Sequence, residues 1–171
     1  FGDAGAIVTN NKSIYNKIKT YRALGSKRKY IHSNYGVNSR LDEIQAGILR
    51  IKLKQLDKWN MLRREIGHYY LKNIKFNNKF IAINTTPGSV YHIFNILVPN
   101  RNKFMKFLRI NKIEFVIHYP KSINQHISLK NTFRGIKFKN SEKIASNSIS
   151  LPLFPYMKKN QIGYVVDKVN E

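Results

Sequence analysis

Two stretches of the sequence gather side chains able to act on a ligand. In Gly25-Ser26-Lys27-Arg28-Lys29-Tyr30-Ile31-His32, followed by Gly36-Val37-Asn38-Ser39-Arg40-Leu41-Asp42-Glu43, adjacent cations and aromatic rings precede a helix start. Cations and the free N–H groups of a helix N-terminus attract anions, phosphate above all. A capped helix preceded by a solvated basic loop would look the same, and the residues alone leave both readings open. The second stretch, His118-Tyr119-Pro120, closes an expected strand at the end where ligands of α/β proteins bind. There the alternative is a His and a Tyr simply satisfied at a strand end.

Other chemistries are not encoded. The histidines, His32, His68, His92, His118 and His126, stand far apart with no i, i+4 pair and no acid cluster beside them, so no metal site is expected. The 9 acidic residues form no obvious pair across a cleft, and the absence of Cys removes thiolate zinc sites, disulfides and Cys nucleophiles. Nucleophile elbows, P-loops and the G-x-G-x-x-G fingerprint are missing as well.

These residues need elements to hold them. Ala4 to Thr9 reads as a strand, Asn10-Asn11 as a turn, and Ile14, Ile18, Tyr21 and Leu24 as an amphipathic helix that Gly25 caps. Ser39 is expected to open the next helix with Asp42 as its capping-box partner. From Leu41 the apolar spacing stays helical almost to Ile74, roughly 36 residues or about 50 Å, weakened at Gly47 and Gly67 by about 1 kcal/mol each. So long a helix crosses between domains or lies along a subunit interface. Beyond it, strands are predicted at Phe80 to Ile83, Val90 to Val98 and Glu114 to Ile117. Helices are predicted after the Asn100 cap, over Ser141 to Ser148, and around Ile162 to Val169. The reading is therefore α/β, with residues 1–55 as one part and 56–171 as a small α/β domain. One strand and one helix make no core by themselves, so the chain is expected to be the C-terminal portion of a larger protein.

Lys and Arg total 31 against 9 Asp and Glu, a net charge of +22. Such an excess attracts phosphate in any form, and a small basic nucleic-acid-binding module is the alternative function. The cations are nevertheless spread along a chain rich in Lys, Ile and Asn, without the run that marks a nucleic-acid tail, and Tyr91-His92-Ile93-Phe94 lacks the basic residues of an RNA-reading strand. Neither nucleic acid nor membrane is expected as a partner: no apolar run approaches the roughly 20 residues that span a bilayer. The lack of Cys suits a reducing cytoplasm.

Six collinear motifs carry a resemblance. Gly2-Asp3-Ala4-Gly5-Ala6-Ile7-Val8-Thr9-Asn10, the Gly25-Ser26 loop, Asn38-Ser39-Arg40-Leu41-Asp42-Glu43-Ile44-Gln45-Ala46, Val90-Tyr91-His92, Ile117-His118-Tyr119-Pro120 and Ser150-Leu151-Pro152-Leu153 resemble the sugar-nucleotide aminotransferases of the DegT/DnrJ/StrS family in order and spacing. The resemblance implies a fold type I pyridoxal 5'-phosphate enzyme: the end of its large domain, a long interdomain helix and a C-terminal small α/β domain. It implies a homodimer that moves an amino group from glutamate to a keto-deoxysugar on a nucleoside diphosphate, in cell-surface polysaccharide or glycoconjugate biosynthesis. By position, Asn38 matches the residue that reaches the cofactor phosphate of the other subunit. Lys27, Arg28 and Lys29 match a basic loop near the substrate pyrophosphate, and His118 and Tyr119 match the lining of the sugar-nucleotide pocket. The Schiff-base lysine of the family is expected before Phe1, so no catalytic lysine is assigned in this chain. Two departures stand out: Gly47 where the family usually has Ala, and Lys158-Lys159 where it tends to have a cap and an acid.

Overall fold

The computed structural model describes residues 4–78, 80–83 and 85–171, so the Gly2-Asp3 start of the first motif lies outside the described residues. The chain divides into two compact units, Phe1–Leu56 and Asp57–Glu171.

The first unit has no buried apolar side chain among its described residues. Helix α1 (Lys12–Tyr21) starts at Asn11, whose Oδ1 accepts from the N–H groups of Ser13 and Ile14 at 2.9 and 3.1 Å. That satisfies two of the orphan donors of the first turn. The helix ends earlier than its apolar spacing suggests, with Arg22 as capping residue, although the Gly25 N–H still donates to the Thr20 carbonyl at 3.0 Å. An antiparallel ribbon of β1 (Ser26–Arg28) and β2 (Ile31–His32) follows, where the pattern suggested only a loop. The strand expected at Ala4 to Thr9 is not formed: those residues are exposed and, among the described residues, pair with no other segment. A strand is stable only against partners, and the ribbon is the sheet of this unit.

Two helices replace the single long one, α2 (Glu43–Leu53) and α3 (Leu56–Asn73), interrupted at Lys54-Gln55. Arg50, Lys54 and Lys58 stand at successive i, i+4 positions, and like charges at that spacing oppose helix propagation. Asp57 then places negative charge in the first turn of α3. Ser39 is not the cap of α2; Asp42 holds that position, without a side-chain bond. The Ser39 backbone is already committed to Arg22, donating its N–H to the Arg22 carbonyl and accepting from Arg22 Nε, both at 3.0 Å.

In the second unit, β3 (Ile81–Ala82), β4 (Phe94–Leu97) and β5 (Ser148–Leu151) form an antiparallel sheet in that order. Alternation along the strands sends Phe94, Ile96, Ile149 and Leu151 to one face. There they pack with Ile66, Tyr70 and Ile74 of the α3 region, Leu108 of α4 (Arg101–Ile110), and Val165, Val166 and Val169 of α6 (Lys159–Val169). Burying each such side chain contributes about 1.5–3 kcal/mol. Asn100 caps α4 as expected, accepting from the Lys103 N–H at 2.9 Å. At the start of α6 the Gln161 side chain accepts the Lys158 N–H at 2.9 Å, which supplies half of a capping box despite the two lysines. Tyr70 is fully buried and donates to the Pro152 carbonyl at 2.8 Å, and burial pushes its phenol well above the usual range.

The strand expected at Glu114 to Ile117 is reduced to one bridge, Val116 to Ser150. At its ends the backbone groups are spent elsewhere, the Ile113 N–H on the Leu108 carbonyl at 2.9 Å and the His118 carbonyl on the side chains of Asn95 and Ser148. The third strand of the sheet is instead β5, reached through α5 (Lys139–Asn147).

Candidate functional site

Asn38 sits on a backbone segment tied to the end of α1. The Val37 N–H donates to the Tyr21 carbonyl at 2.8 Å, the Leu24 N–H to the Val37 carbonyl at 3.1 Å, and the Ser39 N–H to the Arg22 carbonyl. Two glycines permit this crossing. A Cβ on Gly36 would lie 2.1 Å from the Gly25 nitrogen, and one on Gly25, whose φ is +74°, would lie 1.7 Å from the Asn34 carbonyl oxygen. No side chain fits at either place. The Asn38 amide itself is exposed and makes no hydrogen bond among the described residues. An N–H₂ group on a fixed backbone can donate to a phosphate oxygen, so Asn38 fits a cofactor phosphate.

The basic residues form the ribbon. Lys27 and Arg28 belong to β1, and Lys29 with Tyr30 makes the turn, the Lys29 ammonium lying 5.1 Å from the Tyr30 ring centroid. All three cations are exposed. His32 Nδ1 donates to the Leu24 carbonyl at 3.0 Å, which anchors the base of the ribbon to the Gly25 crossing. Lys27 alone of the three faces a cleft of about 630 Å³, whose lining includes Lys17, Tyr21, Asn34 and Tyr35. Asn38 and the basic ribbon therefore share one unit and one backbone crossing.

His118 and Tyr119 belong to the other unit. The His118 ring is half-buried, with Nδ1 2.9 Å from Ser150 Oγ, and it meets the Tyr119 ring edge-on at 5.5 Å between centroids. Its carbonyl accepts from Asn95 Nδ2 at 3.1 Å and from Ser148 Oγ at 3.4 Å. Tyr119 is 71% exposed, and its hydroxyl makes no hydrogen bond among the described residues. Sequence reasoning missed Asn95 and Ser148, and it named Ser150 only as part of a motif, without its contact to His118. A polar residue repeated within short apolar strands, F-N-I-L and S-I-S-L, was the available signal.

The irregular segment after Pro120 is held by Glu142. Its Oε1 accepts from Asn124 Nδ2 at 2.8 Å and from the Phe138 N–H at 3.0 Å. These bonds, with Lys137 nearby, hold the carboxyl below its ordinary range.

A family model described as the DegT/DnrJ/EryC1/StrS aminotransferase family matches residues 1–170. The chain is 40% identical over 97% of its length to a dTDP-3-amino-3,6-dideoxy-alpha-D-galactopyranose transaminase of Aneurinibacillus thermoaerophilus, of which it covers 46%. It is 32% identical, over 96% of its length and 46% of the relative's, to a UDP-2-acetamido-2-deoxy-3-oxo-D-glucuronate aminotransferase of Pseudomonas aeruginosa. Among solved structures, DesV of S. venezuelae, in complex with a ketimine intermediate, superposes with a TM-score of 0.86 at 28% identity, over 95% of this chain and 45% of that one. The chain thus spans about half the length of the curated relatives it matches.

Proposed function

The chain belongs to the DegT/DnrJ/EryC1/StrS aminotransferase family, and we propose that the protein transfers an amino group from glutamate to a keto-deoxysugar carried on a nucleoside diphosphate. The observation that carries this reading is the 40% identity to a transaminase named for a dTDP-linked amino sugar. A relative named for a UDP-linked sugar supports the wider class, a nucleotide-linked keto sugar, over one carrier. None of these findings supports the nucleic-acid module.

Pyridoxal 5'-phosphate, when bound, supplies the electron sink that lets the amino group and an electron pair leave glutamate and reach the sugar carbonyl. In this reading the protein is a cytoplasmic homodimer, and Asn38 donates its amide to the cofactor phosphate of the other subunit. The cations of the 26–32 ribbon offset the pyrophosphate charge of the sugar nucleotide. His118 and Tyr119 line the pocket for the sugar, the Tyr119 hydroxyl being free to donate or accept. Residues 1–55 end the cofactor-binding domain, and 56–171 form the small domain.

Glutamate reacts before the sugar enters, so the two half-reactions separate the roles. Lys27→Ala and Tyr119→Phe should raise the sugar-nucleotide KM by roughly three- to tenfold, the worth of one hydrogen bond, with the pyridoxamine-forming half-reaction unchanged. Stopped-flow absorbance of each half-reaction checks this; equal loss in both would assign these side chains to the fold.

A further inference from the structure

We propose that Asn95, Ser148 and Ser150 are positioning residues that fix His118 and Tyr119 for the sugar-nucleotide step. The inference rests on the reading of His118 and Tyr119 as pocket residues. Strands β4 and β5 are buried along their whole length, and their second face carries Asn95, Leu97, Ser148 and Ser150. Placing polar groups there costs stability unless each is hydrogen-bonded. Leu97, opposite Ser148 in the register, shows that an apolar residue fills this face. The polar residues of this face spend their side chains on hydrogen bonds to His118.

What they hold is one residue, gripped at two points. Two donors, Asn95 Nδ2 and Ser148 Oγ, converge on the His118 carbonyl. Ser150 Oγ meets the His118 ring at Nδ1 and its backbone pairs with Val116, at 2.8 and 3.3 Å. Backbone position and ring rotation are both set, and the Tyr119 ring, packed edge-on against His118, is set with them. The contact with Ser150 also decides what the other ring nitrogen offers a ligand. If Ser150 donates to Nδ1, Nε2 carries the proton and donates; if Ser150 accepts, Nε2 is an acceptor. Either way one tautomer is selected. This gives the Ser150-Leu151-Pro152-Leu153 motif a task in addition to pairing β5 with β4. Asn95 Oδ1 is buried with no hydrogen-bond partner among the described residues, so the Nδ2 bond to the His118 carbonyl is the satisfied half of this amide.

The test compares Ser150→Ala, Ser150→Thr, Asn95→Leu and His118→Ala in the holoenzyme. It reads sugar-nucleotide KM and kcat separately, together with the ¹⁵N signals of the His118 ring. Ser150→Ala should raise KM roughly three- to tenfold with a smaller change in kcat and convert a single-tautomer ring spectrum into a mixture. Ser150→Thr, which keeps the hydroxyl, should restore both. Asn95→Leu should raise KM without changing the tautomer, and it serves as the test if Ser150→Ala does not fold. If His118→Ala raises KM while Ser150→Ala and Asn95→Leu leave KM and ring signals as they were, the positioning role is wrong and the pocket reading stands. A His118→Ala variant with unchanged KM would overturn both.

Discussion

Asn38 combines a fixed backbone with a free amide, which is what a phosphate ligand requires of a side chain. Its neighbours Val37 and Ser39 spend their backbone groups on α1, and nothing in the described chain uses the amide itself. Removing it should cost one charge-assisted hydrogen bond, about 1.5–3 kcal/mol. Asn38→Ala should accordingly weaken cofactor retention by about ten- to a hundredfold in equilibrium dialysis of the holoenzyme. In a mixed dimer the loss should fall on the site opposite the altered subunit. Unchanged retention would remove Asn38 from the site. Glu142 makes a second residue-scale case. Because its carboxyl titrates below the ordinary 4.5, the bonds to Asn124 and Phe138 are present above that range and are lost as pH falls through the lowered value. The Phe138 amide resonance should show an inflection below 4.5 that Glu142→Gln abolishes, whereas an inflection at or above 4.5 would mean the carboxyl is not held.

At the scale of elements, two glycines that look alike in the sequence behave differently. Gly47 of α2 has open space where a Cβ would go, so Gly47→Ala should stabilise that helix by about 1 kcal/mol. In α3 a Cβ on Gly67 would stand 2.5 Å from the ring of Tyr91, itself buried against Phe94 and His68. Overpacking of this kind costs about 1–3 kcal/mol, so Gly67→Ala should lower the denaturation midpoint of the Asp57–Glu171 unit. Amide exchange of α2 and urea unfolding check the pair, and a stabilising Gly67→Ala would show that Tyr91 can move aside. The contrast explains what the sequence made legible. Periodicity, with the Asn100 cap of α4, places α1, α4 and α6, because those signals are local, while α2 and α3 are read together as one helix. Ala4 to Thr9 and Glu114 to Ile117 read as strands because their composition is right, but a strand exists only where a partner meets it, and only Val116 meets one. The long helix was read through Lys54 because apolar spacing carries no information about the like-charged Arg50, Lys54 and Lys58. Asn38, His118, Tyr119 and Ser150 are legible as motif residues, whereas Asn95 and Ser148, and the contact of Ser150 with His118, are visible only once the register places them beside His118.

For the molecule as a whole, charge and exposure point the same way. Lys168 pairs with Glu171, whereas Lys27, Arg28 and Lys29 of the ribbon are exposed and make no ion pair among the described residues, so these three cations can attract a diphosphate. In the first unit Ile7, Val8, Ile44, Ile51 and Leu53 are exposed, and apolar surface on this scale is normally covered by other protein. The proposed homodimer, with its shared cofactor sites, is expected to provide such cover. The central claim, amino transfer to a nucleotide-linked keto sugar, is tested most directly by supplying the pyridoxal-phosphate-loaded dimer with glutamate and either a dTDP- or a UDP-linked keto-deoxysugar, and following both products by mass spectrometry. The 171-residue chain alone, mixed with cofactor and proposed to be inactive, serves as the control. The expected result is one 2-oxoglutarate for each aminated sugar nucleotide from the dimer, and no turnover from the control. Failure of the loaded dimer to aminate either nucleotide sugar, with tight binding to unrelated duplex nucleic acid at physiological salt, would contradict it.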